Sequence, residues 1–373
     1  MRKAIDAHVH ILPETMLGRT DSALKTKAEK FGIFVYENGE TCRRVPPYFE
    51  STSFSTEALL ATIGQFGIEK AVILQSFTFR INEEVAEAVA KYPDKLKGAM
   101  VIDPRDEDSV AQMRFWHKRG LTVLKFEMST VQGFSHPRAY PEMRFDGADV
   151  MKLFDEAEKL GITVAVDPSP VFGNGYQVDA LKKAIETHPK LRFVICHLCF
   201  AMPDYLNDGK KRAEWERMCA LASYDNVWVD LAAMCDLFLG EEYPFPGSLD
   251  MLKRFIDRYG DDKVIWGSDI PGSLNAIPRD AFRNNKNLKD VILHEGLQSI
   301  KQRAFFEIGS LPKIKSLRLP KTVKHLDANS LKEIPYIEIL SNKFPEGMVG
   351  AIVTTSPVYN DIGILQVKTP DSL

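Results

Sequence analysis

The sequence lacks several features of membrane, secreted and nucleic-acid-binding proteins. No run approaches 18 consecutive apolar residues, so we expect no transmembrane helix, and no signal peptide precedes the first strand. The 48 basic and 51 acidic residues leave a formal net charge of -3, too small to draw the chain to nucleic acid or a membrane. A glycine-rich phosphate turn after the first strand, typical of an open doubly wound sheet, is also missing.

Cysteine is scarce and irregularly spaced. The five cysteines form an odd set with one C-x-x-C motif, Cys196 to Cys199, and no second motif that would complete a zinc knuckle. A redox pair or part of a zinc site is compatible with this motif. Together with the missing signal peptide, the pattern predicts a protein of the reducing cytoplasm.

The first strand carries three ionisable residues on one face. Alternation over residues 5–11 places Asp6, His8 and His10 opposite the apolar side chains. Burying such groups costs free energy unless something pairs with them, and two imidazoles spaced i, i+2 can hold one divalent ion. A surface strand with solvated histidines is the alternative.

An insertion over residues 12–54 follows this strand. Residues 31–45 predict a hairpin that turns at Asn38-Gly39. Arg43 and Arg44 lie on its returning strand. They are either solvated loop charges or a clamp for a substrate carboxylate, which guanidinium groups match in bidentate geometry.

Helical and apolar strand patterns then alternate along the chain. We predict strands at 5–11, 70–75, 96–103, 121–127, 162–167, 191–197, 227–231 and 263–269, with helices between them and a last helix at about 295–307. This alternation predicts an α/β protein, a (β/α)8 TIM barrel over residues 1–308.

Polar residues recur where these strands end, which is where the chemistry of such barrels collects. They are His8, His10, Lys125, Glu127, Asp167, His197, Asp230 and Asp269. Each has a structural explanation by itself: Asp167 precedes a proline and can shape the turn, and Asp230 can hold a neighbouring side chain. Their recurrence at matching depth predicts one shared active site.

These residues resemble the amidohydrolase superfamily, most closely its branch containing aminocarboxymuconate-semialdehyde decarboxylase and dihydroxybenzoate decarboxylases. The resemblance covers about residues 3–307. It rests on residues 5–13, 82–93 with Gly98, 194–197 and 266–271. It implies that His8, His10 and Asp269 bind a divalent metal, often zinc, and that His197 acts beside the metal or the substrate as a general acid/base or polarising group.

Two positions depart from the pattern of that family. The end of strand five normally carries a metal-binding histidine, where this chain has Asp167. Glycines usually follow the strand-six histidine, where this chain has Leu198 and Cys199. Because aspartate can ligate zinc or manganese, we expect a metal site of His8, His10, Asp167 and Asp269. A metal-free site, as in lactonases among the relatives, is the alternative.

We expect metal-assisted hydrolysis of a small carboxylate-bearing ester, lactone or amide. Asp269 would ligate the metal and accept the proton of water, and His197 would stabilise the developing oxyanion. Candidate substrate-binding residues are Arg43, Arg44, Lys125, His136, Arg138 and Arg144. Lys125 is equally compatible with a carbamate ligand or a side chain that extends from a strand end.

Two other functions stay open. Nonoxidative decarboxylation of an unsaturated or aromatic acid is the nearest alternative, because the same metal ligands serve both reactions. An inactive metal-binding or scaffold protein is an alternative from another class.

Residues 309–373 lie beyond the predicted barrel. Residues 311–337 resemble one unit of the leucine-rich repeats of some bacterial surface proteins, but one unit cannot bury its own apolar face. We therefore expect a β-rich extension that packs on the barrel or on a second subunit, which predicts a homo-oligomer.

Overall fold

The computed structural model of the chain describes most of the N-terminal three quarters and short stretches beyond. The described residues are 4–16, 26–43, 51–77, 80–129, 133–238, 241, 245–271, 276–277, 299–300, 317–319, 321, 323–326, 331, 336–339 and 366–368. Within them, no helix is both long and apolar enough to cross a membrane. Two compact units divide the chain, and the second consists mainly of residues 273–373.

Eight parallel strands form the sheet of the first unit, a TIM barrel as the sequence predicts. The strands are β1 (Ala4–Val9), β2 (Ile68–Ile73), β3 (Leu96–Met100), β4 (Leu121–Glu127), β5 (Thr163–Asp167), β6 (Arg192–Ile195), β7 (Val227–Asp230) and β8 (Val264–Ile265). They are hydrogen-bonded in chain order from β1 to β8. The predicted strands thus lie in the expected sequence of neighbours.

Among the described residues, one helix of ten or more residues lies in each of the seven connections between these strands. These helices are α1 (Thr56–Gln65), α2 (Asn82–Lys91), α3 (Ser109–Lys118), α4 (Ala148–Leu160), α5 (Val178–Thr187), α6 (Gly209–Cys219) and α7 (Pro246–Tyr259). Ser55 caps the first helix, because its Oγ accepts a hydrogen bond from the Ala58 amide at 3.1 Å. Because neighbouring strands are parallel, the carboxyl ends of all eight strands lie on one face of the barrel.

Backbone contacts between β1 and the chain after β8 close the barrel. Val9 forms a parallel bridge with Ile270. The Asp269 amide donates to the His8 carbonyl at 2.8 Å, and the His10 amide donates to the Ile270 carbonyl at 2.8 Å. The closure therefore brings the first and last predicted site residues side by side.

Buried amides tie the second and third strands to α2. The Gln75 side chain donates to Asn82 Oδ1 at 3.0 Å and accepts from the Ile81 amide at 3.0 Å. The Asn82 side chain exchanges two hydrogen bonds with the Val101 backbone, both at 2.9 Å. Because buried amides without partners are costly, this network fixes how the second strand ends at the face that carries the site.

The insertion contains the predicted hairpin. Strands Lys27–Ala28, Ile33–Val35 and Thr41–Arg43 form a small three-stranded sheet. The turn is where the sequence predicts it, since the Gly39 amide donates to the Tyr36 carbonyl and Tyr36 in turn donates to Glu40. Arg44 lies outside the described residues, as does the Arg43 side chain.

The second unit has short parallel strands that repeat along the chain. Ala276–Ile277, Ser299–Ile300 and His325–Leu326 form one sheet. Leu317–Leu319, Tyr336–Ile339 and Gln366–Lys368 form another. In the first sheet, paired residues lie about 25 residues apart, a spacing typical of stacked repeats.

One predicted element here is wrong. The sequence predicts a last helix over 295–307, but Ser299–Ile300 form a strand. The compact units divide after Gly272, and the domain boundary expected after residue 308 stays a prediction. A strand of two residues is too short to show the alternation of apolar and polar side chains that predicts a strand. The apolar residues of the repeats instead gave the pattern of an amphipathic helix.

Candidate metal and active site

Three side chains converge at the barrel closure. Both imidazole Nε2 atoms face Asp269 Oδ1, at 3.3 Å from His8 and 2.8 Å from His10. The ligand atoms of the three residues lie within 4.8 Å of one another. Two nitrogens and one carboxylate oxygen at such separations form a set that suits a divalent metal, particularly zinc.

The other nitrogen of each imidazole is held by a hydrogen-bond acceptor. His8 Nδ1 lies 2.9 Å from Asp230 Oδ2, and His10 Nδ1 lies 3.1 Å from the Leu74 carbonyl oxygen. Both Nδ1 atoms must therefore carry the proton, which leaves a lone pair on each Nε2. This arrangement of the second nitrogen is the usual one for histidine ligands.

Asp6 and Gly267 fix the position of β1 beside the chain after β8. Asp6 Oδ1 accepts from the amides of His8 at 3.2 Å and Ser268 at 2.9 Å. At Gly267, a Cβ atom would lie 2.6 Å from the His8 Cβ, so only glycine allows this close approach. Asp6 thus acts on the backbone that carries His8, as a support and not as a ligand.

Asp230 is a residue whose role the sequence left open. Besides His8, it binds the amides of His197 at 2.8 Å and Ala232 at 3.1 Å through Oδ1. Burial alone would raise the pKa of Asp230, but His8 and His197 lower it to about 2. Its position at a strand end, opposite a histidine two strands away in the closed barrel, is the signal that could have identified this role.

A second group of side chains fills the barrel interior beside His8, His10 and Asp269. Lys125 Nζ lies 3.3 Å from Asp167 Oδ2, and His197 Nε2 lies 3.4 Å from the same oxygen. Lys125 is 2% exposed, so its ammonium group faces Asp167 and Cys196 and is not open to a substrate. The His8 and His197 ring centroids are 5.1 Å apart, which joins this group to the ligand set.

Charge determines the protonation of these buried groups. Burial by itself would lower the pKa of His197, but the carboxylates of Asp167, Asp269 and Asp230 raise it to about 10. Burial is the largest influence on His8 too, and it lowers the pKa of that imidazole. His8 is therefore neutral, as a ligand must be, while the metal-free protein holds His197 as a cation at neutral pH.

Neighbouring charges also determine the protonation of Lys125 and Asp167. Burial disfavours both charges, but the neighbouring carboxylates, Asp167 first, raise the pKa of Lys125 above its ordinary value. Lys125 and His197 in turn lower the pKa of Asp167. Both groups are charged in the interior because each has an opposite charge nearby.

A left-handed turn carries His197. Residues 197–200 all have positive φ, between 49° and 60°, although none is glycine. The family usually has glycines after the strand-six histidine, because each left-handed residue that carries a side chain costs about 1–2 kcal/mol. Side chains from α6 and from the segment before α5 hold the turn: Trp215 donates to the Leu198 carbonyl at 2.9 Å, and the Tyr176 hydroxyl donates to the Cys199 carbonyl at 3.2 Å.

The remaining predicted substrate residues lie in surface pairs. Arg138 contacts Glu40 at 3.2 Å and lies over the Tyr36 ring, against which His136 stacks. Arg144 pairs with Asp146 at 2.8 Å at the start of α4. The contacts described for these three side chains are with the hairpin or the surface, and their role in substrate binding stays a prediction.

Comparisons with known proteins agree with this architecture. The family model described as "Amidohydrolase" matches residues 5–299, and a model for a "BspA type Leucine rich repeat region" matches six copies within residues 264–348. The second match corrects the expectation of a single repeat unit. A search of curated proteins found no significant match.

Several solved structures have a similar fold. A probable 2-pyrone-4,6-dicarboxylic acid hydrolase from Acinetobacter baumannii, with citric acid bound, has 17% identity and a TM-score of 0.53, covering 72% of this chain and 84% of that one. A protein of the same provisional assignment from Pseudomonas putida has 17% identity, a TM-score of 0.52 and coverages of 73% and 84%. A zinc-bound amidohydrolase from Burkholderia multivorans has 15% identity, a TM-score of 0.47 and coverages of 72% and 84%.

The match to the family model spans nearly the whole barrel and includes every residue of the two groups of side chains described above. Its members are enzymes that typically bind a divalent metal. The chain belongs to the amidohydrolase family.

Proposed function

We propose that the chain is a metal-dependent hydrolase that acts on a small carboxylate-bearing ester, lactone or amide. The observation that carries this proposal is the convergence of two Nε2 lone pairs on Asp269 Oδ1 at the carboxyl end of the barrel. His8, His10 and Asp269 would hold the metal. When bound, it would polarise the scissile carbonyl and make water a stronger acid. Zinc suits these donors best, with manganese second.

The side chains around this set have matching roles. Asp269 is placed to take the proton of the attacking water, as a carboxylate at the centre of the site. His197 would stabilise the developing oxyanion, and the Ala232 carbonyl, which accepts from Nδ1 at 2.9 Å, holds its ring.

The first experiment measures metal content and turnover of the purified full-length protein. We expect about one zinc per chain and acid release from lactones that bear carboxylates. The pyrone dicarboxylate named for the neighbouring hydrolases is the first to test. His8→Ala should abolish both metal binding and turnover, whereas His325→Ala, at an exposed histidine of the second unit, should change neither.

The same assay separates the alternatives. Carbon dioxide released from aromatic or unsaturated acids, without net water uptake, would identify a decarboxylase with the same ligands. A protein that takes up no metal, with turnover unaffected by His8→Ala, would contradict the proposal and favour a metal-free lactonase. If the protein binds metal but turns over none of the substrates tested, an inactive scaffold protein would be favoured.

A further inference from the structure

Lys125 imposes a requirement on the barrel interior. Its side chain is 2% exposed, and Asp167 is the carboxylate within ion-pair distance of Nζ among the residues that the structure describes. The other polar neighbour is Cys196, whose Sγ lies 3.7 Å away. A buried ammonium group that loses its carboxylate partner is strongly destabilising, so Asp167 stabilises the folded state while it stays beside Lys125.

Asp167 lies outside the ligand set. Among the described residues, His8, His10 and Asp269 form a set whose possible ligand atoms lie within 4.8 Å of one another. No set with this spacing contains Asp167. Its Oδ2 faces Lys125 at 3.3 Å and His197 at 3.4 Å. Its Oδ1 is buried and accepts no hydrogen bond from the described residues.

We propose that Asp167 is not a metal ligand but a positioning residue, which neutralises Lys125 and holds His197 beside a three-residue metal site. The inference rests on the proposed function, because it concerns the same metal. It assigns a new role to the carboxylate that stands where the family has a ligating histidine. The aspartate and Lys125 then act as a unit on neighbouring strands.

The number of ligands supports this assignment. Catalytic zinc sites use three protein ligands and keep a fourth position for water or substrate, whereas four protein ligands are typical of closed structural sites. His8, His10 and Asp269 supply three. If Asp167 moved to the metal, it would both fill the open position and remove the partner of Lys125.

Metal binding by matched variants tests the proposal. Asp167→Asn should keep about one zinc per chain, with at most the ~100-fold weaker affinity typical of lost outer contacts. Asp269→Asn should lose the bound metal. In cobalt-substituted protein, the visible spectrum should be unchanged in Asp167→Asn, since the ligand set is the same. Loss of metal or a shifted spectrum in Asp167→Asn would overturn the proposal.

A second pair of variants tests the link to Lys125 and covers a failure of Asp167→Asn to fold. Asp167→Asn alone should lower Tm by about 10 °C, because it strands a buried charge. Adding Lys125→Met should restore most of this loss, and the double variant should still bind about one zinc. The proposal would be overturned if the Tm losses of Asp167→Asn and Lys125→Met simply added in the double variant, or if the double variant bound no metal.

These outcomes are distinguishable from failure of the proposed function. If the unaltered protein binds no metal, the proposed function fails, while the Tm rescue still tests the Lys125–Asp167 pair. If the unaltered protein binds metal and the double variant does not, the hydrolase proposal stands and Asp167 is a ligand.

Discussion

At the scale of the residue, the direction of each hydrogen bond decides what a side chain can do. His8 can bind a metal through Nε2 because Asp230 accepts the proton on Nδ1 at 2.9 Å. The other oxygen of Asp230 already accepts two backbone amides, from His197 and Ala232. One carboxylate therefore sets both the tautomer of a ligand and the backbone of the strand-six histidine.

Asp230→Asn should weaken zinc binding by about 10–100-fold. The two backbone amides require the amide oxygen of the asparagine at the Oδ1 position, which turns its NH2 group toward His8 Nδ1. His8 would then have to accept there and protonate Nε2, the atom that faces the metal. Competition with a chromogenic chelator measures the affinity.

The control for this prediction is Asp225→Asn, at an exposed aspartate that follows α6. It removes one charge from the same region and should leave the affinity unchanged. An Asp230→Asn protein that binds zinc as tightly as the control would show that the tautomer argument is incorrect.

At the scale of the element, the turn after β6 departs most from what the residue types favour. Leucine, cysteine and phenylalanine do not favour positive φ, so the sequence predicted an ordinary strand end with His197 on it. Tertiary contacts override this preference, since carbonyl groups of the turn accept hydrogen bonds from Trp215 and Tyr176. Local sequence could not reveal those donors, which lie 17 or more residues away.

Trp215→Phe should destabilise the barrel by about 1–3 kcal/mol, because it leaves the buried Leu198 carbonyl without its donor. Chemical denaturation measures the free energy of unfolding. Trp266→Phe is the matched control, since its side chain is 45% exposed and the change should stay within about 0.5 kcal/mol. Equal effects at the two positions would contradict the role of the hydrogen bond.

The contact between β3 and α2 depends on a glycine. A Cβ atom at Gly98 would lie 2.5 Å from Val85 Cγ1 and 2.9 Å from Leu121 Cδ2. Gly98→Ala should therefore cost about 1–3 kcal/mol of stability through overpacking.

Gly64→Ala provides the opposite case on α1, where nothing lies within 4 Å of the added Cβ. This change should stabilise the protein by up to about 1 kcal/mol, since alanine is the better helix former. Thermal unfolding of both variants measures the difference. Destabilisation by Gly64→Ala, or none by Gly98→Ala, would contradict the packing argument.

At the scale of the whole molecule, the sequence predicted the barrel well and the repeats poorly. Buried parallel strands are continuous apolar runs, which makes each β/α unit recognisable, and the closure of the barrel then brings His8 and Asp269 together. The repeat strands are only two to four residues long, and their burial depends on neighbouring repeats. Which carboxylate pairs with Lys125 depends on three-dimensional packing, so the sequence did not predict its ion pair with Asp167. The expected oligomer contacts stay a prediction.

Zinc should stabilise the first unit and leave the second unchanged. His8, His10 and Asp269 all belong to the unit that contains the barrel, and the repeat strands belong to the other. A ligand that binds only the folded state adds about 4 kcal/mol when its free concentration is 1,000 times Kd. Hydrogen–deuterium exchange with zinc and with a chelator should therefore show slower exchange in β1 and around Asp269, and no change at Leu317–Leu319 or Tyr336–Ile339. His8→Ala should remove the difference in β1. Equal protection of both units would contradict this prediction, because the three proposed ligands belong to the first unit.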